Sequence, residues 1–280
     1  MRFLIDMKIF QIKLSYPFRG LRTIILCFLP VLFWSHNLPA ESIRNSDQEQ
    51  ETKLVWSANY GQGEQVYFSS YEKDNWTNPV QLSDSAGMVF HSAVSSGNDG
   101  RIWVVWSRQE KKRSFLEFTF YSSSGWTQPL EINTGMDSNI AVSVIVDKNN
   151  TPWIAWSGIE KMYSDVFWSR WNGQGWDLPV KAHTDNDVPD IDSKLVLDDS
   201  GHIVLFWRTF ANGKYVTVSK IWDGKQWQIA PHDSEKKIVK KIFHDRKNMP
   251  PIPEFIQERH NATLFIKGND GAWSISLSNF

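Results

Sequence analysis

Four aspartates fall within one short run, His183-Thr184-Asp185-Asn186-Asp187-Val188-Pro189-Asp190-Ile191-Asp192. Carboxylates this close together suit two chemistries. Asp185 and Asp187 are hard oxygen ligands of the kind that hold Ca²⁺. A pair drawn from Asp187, Asp190 and Asp192 could supply the acid and the base or nucleophile of glycoside hydrolysis. The spacing is not that of an EF-hand loop, and a solvated acidic loop ahead of a strand accounts for the same residues without either chemistry. Other polar residues stand at corresponding places. They are His91 in Phe90-His91-Ser92, Asp137 and Asn139 around Ser138, and His260 after Glu258 and Arg259. Each can orient a ligand, and a histidine can also exchange a proton near neutral pH.

The elements that must position these residues come from a repeat. Trp56, Trp106, Trp156 and Trp207 recur at a pitch of 50, 50 and 51 residues, and Trp76, Trp126, Trp176 and Trp227 each follow 20 residues later. A fixed period of this length marks a repeat architecture. Within each repeat, short runs rich in Val, Ile, Phe, Tyr, Trp and Thr are bounded by Gly, Asn, Asp or Ser, which are strand and hairpin signals. Pro79, Pro129 and Pro179 follow the second tryptophan by three residues and Pro231 by four, which suits an outer edge strand. The expected fold is therefore an all-β propeller of four-stranded blades of about 50 residues. The blades span about 53–83, 88–133, 139–183 and 190–232, with a degenerate fifth over 233–280. Five blades close a ring, or the chain holds part of a larger one. The first repeat lacks a strand, so closure is expected to pair a C-terminal segment with the N-terminal one. Tryptophans that recur in every repeat are expected to pack between blades. Trp103 and Trp171 do not recur in every repeat, so they are candidates for stacking on a sugar.

The N-terminus stands apart from the repeat. Arg2, Lys8, Lys13, Arg19 and Arg22 precede the apolar run from Thr23 to Trp34, and Ala40 ends the stretch that follows. This is the order of a secretory signal peptide over 1–40; an uncleaved membrane anchor is the other reading. Residues 41–52 read as a polar linker to the domain at 53–280. Cys27, the single cysteine, lies in the leader, so the exported chain would hold no disulfide. Residues 41–280 keep 25 of the 30 Lys and Arg and 30 of the 31 Asp and Glu, a net of −5. That leaves no basic field for nucleic acid. A periplasmic or extracellular place in a bacterial envelope is expected, with membrane contact only through the N-terminal segment. The Lys236–Lys241 patch (KKIVKK) reads as a solvated insertion.

Ser96-Gly97-Asn98-Asp99-Gly100-Arg101-Ile102-Trp103 resembles the Asp-box of the sialidase-like, BNR-repeat propellers, Ser-x-Asp-x-Gly-x-x-Trp, with Asn98 in place of the Asp. The likeness covers residues 53–232 as a repeat pattern, and tryptophan-rich propeller lectins share it. It implies a propeller and a glycan-related activity. It does not imply a sialidase active site, because no arginine recurs at the heads of the innermost strands and Phe18-Arg19-Gly20 lies in the leader. The function expected is an exported, non-catalytic propeller that binds a glycan or protein partner on its loop face. The alternatives are a sialidase-like glycosidase and a structural propeller of the envelope. No cofactor is expected beyond that Ca²⁺.

Overall fold

The computed structural model describes residues 50–61, 63–84, 87–160, 162–231, 237, 249–256, 261–268 and 271–277. The leader, most of the KKIVKK patch and His260 lie outside these residues. The fold is all-β, and every strand pairing is antiparallel. Among the described residues no helix is long and apolar enough to cross a membrane.

The first repeat forms β1 (Glu51–Asn59), β2 (Glu64–Glu72), β3 (Asn75–Trp76) and β4 (Val80–Gln81). The second forms β5 (Met88–Ser96), β6 (Ile102–Glu110), β7 (Arg113–Ser122), β8 (Gly125–Trp126) and β9 (Leu130–Ile132). The third forms β10 (Asn139–Val146), β11 (Pro152–Ile159), β12 (Ser164–Arg170) and β13 (Val180–Lys181). The fourth forms β14 (Asp190–Leu197), β15 (Ile203–Ala211), β16 (Lys214–Trp222) and β17 (Trp227–Ile229). In the last three repeats each long strand pairs with the next in sequence, an up-and-down meander. Prolines 79, 129 and 179 precede the short outermost strands, where a missing N–H breaks no ladder.

The C-terminal region departs from the expected fifth blade. Its described residues form β18 (Asn261–Gly268) and β19 (Gly271–Ser276), and these build no sheet of their own. β18 pairs with β1 from Glu51↔Lys267 to Ser57↔Asn261, the edge that β5 covers on β6 in the second repeat. The physical reason is the vacant ladder of β1. Among the described residues no strand of the first repeat precedes β1, and an unpaired buried edge is costly. β19 pairs with β18 and meets β14 at Leu197↔Ala272.

The tryptophans lock neighbouring repeats together. Trp56, Trp106, Trp156 and Trp207 are all buried, as expected of recurring core residues. In the later repeats the second series reaches back. Trp126 meets Phe68 edge-on, Trp176 meets Trp103, and Trp227 meets Trp153 and Trp168. The fourth repeat packs on the first through Val196, Val204, Leu54, Trp56 and Trp273.

Candidate functional site

Backbone strain recurs at one place in three consecutive repeats. His91, Ala141 and Asp192 hold φ of 50°, 54° and 57°, and each sits at a break in strand register. A non-glycine residue in the left-handed region is uncommon, and a bulge of this kind re-aims side chains. At the first bulge, His91 Nδ1 accepts a hydrogen bond from Ala141 N at 3.2 Å. At the third, Asp192 takes a hydrogen bond from Arg208 at 3.1 Å. Lys194 completes the group. It reaches solvent yet is crowded by protein, and the lost hydration lowers its pKa, with Asp192 pulling the other way. His91 is also lowered, first by lost hydration and then by Lys194, while Asp192 opposes the shift.

A second constellation lies between the third and fourth repeats. Asp165 at the start of β12, His183 after β13 and Asp190 at the head of β14 bring one ligand atom each within 4.8 Å of one another. Their side chains are 9%, 8% and 1% exposed. His183 Nε2 stands 3.6 Å from Asp165 Oδ1 and 3.5 Å from Asp190 Oδ2. The ring's tautomer follows from its neighbours. Val166 N donates to Nε2 at 3.3 Å, and Nδ1 faces the Thr184 carbonyl at 2.9 Å, so Nδ1 carries the proton. Asp190 accepts from Trp207 Nε1 at 2.8 Å and from Asn186 Nδ2 at 2.9 Å. Lys181 donates to Asp165 and Asp185. Burial alone would lower the Lys181 pKa, but hydrogen bonds to Asp185 and Asp165 outweigh it and hold it well above the usual lysine value.

Beside this cluster is an opening of about 530 Å³, lined by Met162, Tyr163, Asp165, Lys181 and the Asp185–Asp187 segment. Tyr163 is 41% exposed there. A different cavity of about 560 Å³ gathers the turns after β5, β10 and β14 with the end of β18 and the start of β19. The Asp-box-like stretch forms the first of these turns, between β5 and β6.

The structure separates residues that the sequence placed together. Asp187 lines the opening, Asp190 is buried under Trp207, and Asp192 is exposed and paired with Arg208. The three carboxylates thus sit in three environments rather than one. Asp185, half of the expected Ca²⁺ pair, bonds the Lys181 ammonium. Trp103 is 1% exposed and stacks on Phe120 at 4.7 Å, so its faces are used by the core rather than by a ligand. Trp171 is half-buried against Trp103 and Trp176. Asn139 is buried and its Nδ2 donates to the carbonyls of Ser114 and Met136, a brace between strands. Asp137 is exposed and pairs with Arg113. Of the expected ligand residues among those described, His91 and Asp137 are exposed to solvent.

Sequence reasoning missed Asp165, Lys181, Tyr163 and Arg208, and named His183 without placing it in a site. A signal existed in the repeat register. His183 stands where the first repeat has Ser83, and Asp165 stands where it has Gln65.

No family model matches the chain, and no curated protein matches it either. Solved structures give distant likenesses. A polysaccharide lyase, described as an ulvan lyase, aligns at 11% identity over 80% of this chain and 66% of that one, with a TM-score of 0.47. An endo-arabinase from Bacteroides thetaiotaomicron aligns at 12% identity over 80% and 88%, with a TM-score of 0.43. An intramolecular trans-sialidase from Ruminococcus gnavus aligns at 12% identity over 64% and 42%, with a TM-score of 0.44. Scores below 0.5 carry no argument, so the fold rests on strand pairing and the site on its own geometry.

Proposed function

We propose that this protein is an exported β-propeller that binds a glycan without turning it over. The propeller reading takes each repeat as a blade and the β18–β1 pairing as the closure of the ring. The packing of the fourth repeat on the first supports it. The exported reading rests on the basic and apolar order of residues 1–40.

The observation that carries the glycan reading is the 530 Å³ opening, where exposed Tyr163 stands with Asp185, Asn186 and Asp187. An aromatic face suits the C–H face of a pyranose, and carboxylate and amide groups suit its hydroxyls. The volume falls within the roughly 300–1,000 Å³ of small-ligand sites. The non-catalytic part of the reading rests on how the acids are engaged. Asp190, the deepest candidate acid, already accepts from Trp207 and Asn186, and Asp192 is spent on Arg208.

A glycan array probed with the purified protein, with and without Ca²⁺, tests the reading. Selective retention that falls at least tenfold in both Tyr163→Ala and Asp187→Ala is expected. Silence in both conditions would sink the glycan reading and favour a protein partner on the same face. Release of a reducing sugar from a retained glycan would instead make the protein a glycosidase.

A further inference from the structure

We infer that Asp165, His183 and Asp190 form a binding site for one divalent transition-metal cation of the zinc class. The inference does not rest on glycan recognition.

Geometry is the first support. Bonds of about 2.0–2.2 Å in tetrahedral array place ligand atoms roughly 3.3–3.6 Å apart. The imidazole nitrogen stands 3.6 Å and 3.5 Å from its two carboxylate oxygens. With Nδ1 protonated, Nε2 has a single lone pair; it takes the long 3.3 Å contact from Val166 N, which a metal bond at Nε2 would displace. Nδ1–H is held by the Thr184 carbonyl, the outer-shell partner that a metal-bound histidine characteristically has. Asp190 has an equivalent support in the Trp207 indole.

Charge is the second, independent support. Asp190 is 1% exposed, and its two hydrogen-bond donors are neutral. Among the described residues no lysine or arginine pairs with it. Lys181 stands on Asp165, where it is shared with Asp185 and Glu160. A buried carboxylate without a compensating cation is strongly disfavoured, and a divalent ion between Asp190, His183 and Asp165 supplies the missing charge. One nitrogen with two carboxylate oxygens favours zinc, cobalt or nickel over Ca²⁺, which takes more oxygen ligands. Asp165 also lines the 530 Å³ opening, which provides the entry path and leaves the fourth coordination position to a donor from that side.

The first repeat supplies the control. There Val66 N donates to Ser83 Oγ at 2.9 Å, the backbone role that His183 plays for Val166. His183→Ser should therefore keep the backbone acceptor of the metal-free protein while removing the metal ligand. The full chain, stripped with a chelator, would be titrated with Co²⁺ and read by the visible bands of four-coordinate cobalt. One equivalent should bind, Zn²⁺ should displace it, and Ca²⁺ should not. His183→Ser, with unchanged circular dichroism, should abolish the bands. Trp207→Phe, which touches no metal, should weaken binding by roughly tenfold through loss of the outer-shell support. Absence of cobalt bands in the wild type, or bands undiminished in His183→Ser, would overturn the assignment. Displacement by Ca²⁺ as readily as by Zn²⁺ would overturn the metal class.

Discussion

Where the first repeat uses Gln65 and Ser83, the third uses Asp165 and His183. The strand facing each pair contributes Val89 in one case and Asp190 in the other. At both places a side chain after the outermost strand accepts a hydrogen bond from the backbone of a valine, Val66 or Val166. In the first repeat the job is done by a neutral hydroxyl, and Ser83 in turn donates to Gln65 Oε1 at 2.6 Å. In the third it is done by an imidazole flanked by two buried carboxylates. The backbone needs only one acceptor, and the third repeat surrounds it with two buried carboxylates that the first repeat lacks. A repeat fold thus offers several equivalent sockets, and specialisation is visible as the socket whose chemistry exceeds the structural task.

The tryptophans give a second comparison at the same depth. Trp207 Nε1 donates to Asp190 and Trp106 Nε1 to Glu117, both at 2.8 Å. Trp156 Nε1 has no partner among the described residues, and neither does Asn139 Oδ1, which holds the place of Asp190 in the preceding repeat.

Three measurements would break or sharpen these comparisons. The largest effect should come from Trp156→Ala, which empties a fully buried site and should cost about 3–5 kcal/mol in urea unfolding. The same change at half-buried Trp176 should cost less, and equal costs would refute the division of the tryptophans into core and bracing series. Next, Trp207→Phe should cost about 1–3 kcal/mol more than Trp156→Phe. Both remove the same ring volume, but the first strips Asp190 of one of its two donors and the second removes an N–H that bonds nothing among the described residues. Equal costs would mean that the Trp207–Asp190 hydrogen bond adds no net stability.

The smallest effect concerns pH. Lost hydration and Lys194 lower the His91 pKa from 6.5 in the folded protein. The unfolded chain therefore takes up this proton first, and stability falls as pH drops from above 6.5 through the lowered folded value. Urea midpoints of wild type and His91→Gln, compared at about pH 8 and about pH 5, should show a smaller loss in the variant. Identical losses would mean that His91 is not held neutral by its surroundings.

Much of the architecture was legible because the core repeats. A residue that must fill the same gap in every repeat returns at a fixed pitch, so the strand order and the burial of Trp56, Trp106, Trp156 and Trp207 could be read directly. The need of β1 for a C-terminal partner was legible for the same reason, since one strand was missing from the count. The site was less legible. Asp187 precedes β14, and Asp190 and Asp192, two residues apart, would share one face of a regular strand, but the bulge at Asp192 re-aims it. Asp165 and His183 were overlooked because neither stands out locally; only alignment against Gln65 and Ser83 makes them conspicuous. Trp103 was misjudged for the opposite reason. It does not recur in every repeat, yet its neighbours Phe120, Trp171 and Trp176 build an interface that buries it.

By itself the sequence determined the period, the strand content, the packing role of the recurring tryptophans and the acidic character of residues 185–192. These follow from local chemistry repeated at a regular spacing. Only the tertiary structure decided where β18 and β19 pair, and which acids share a site. Those outcomes depend on which strand edge is left open and on side chains such as Asp165, His183 and Asp190. They come from two neighbouring repeats and meet only when the third packs against the fourth.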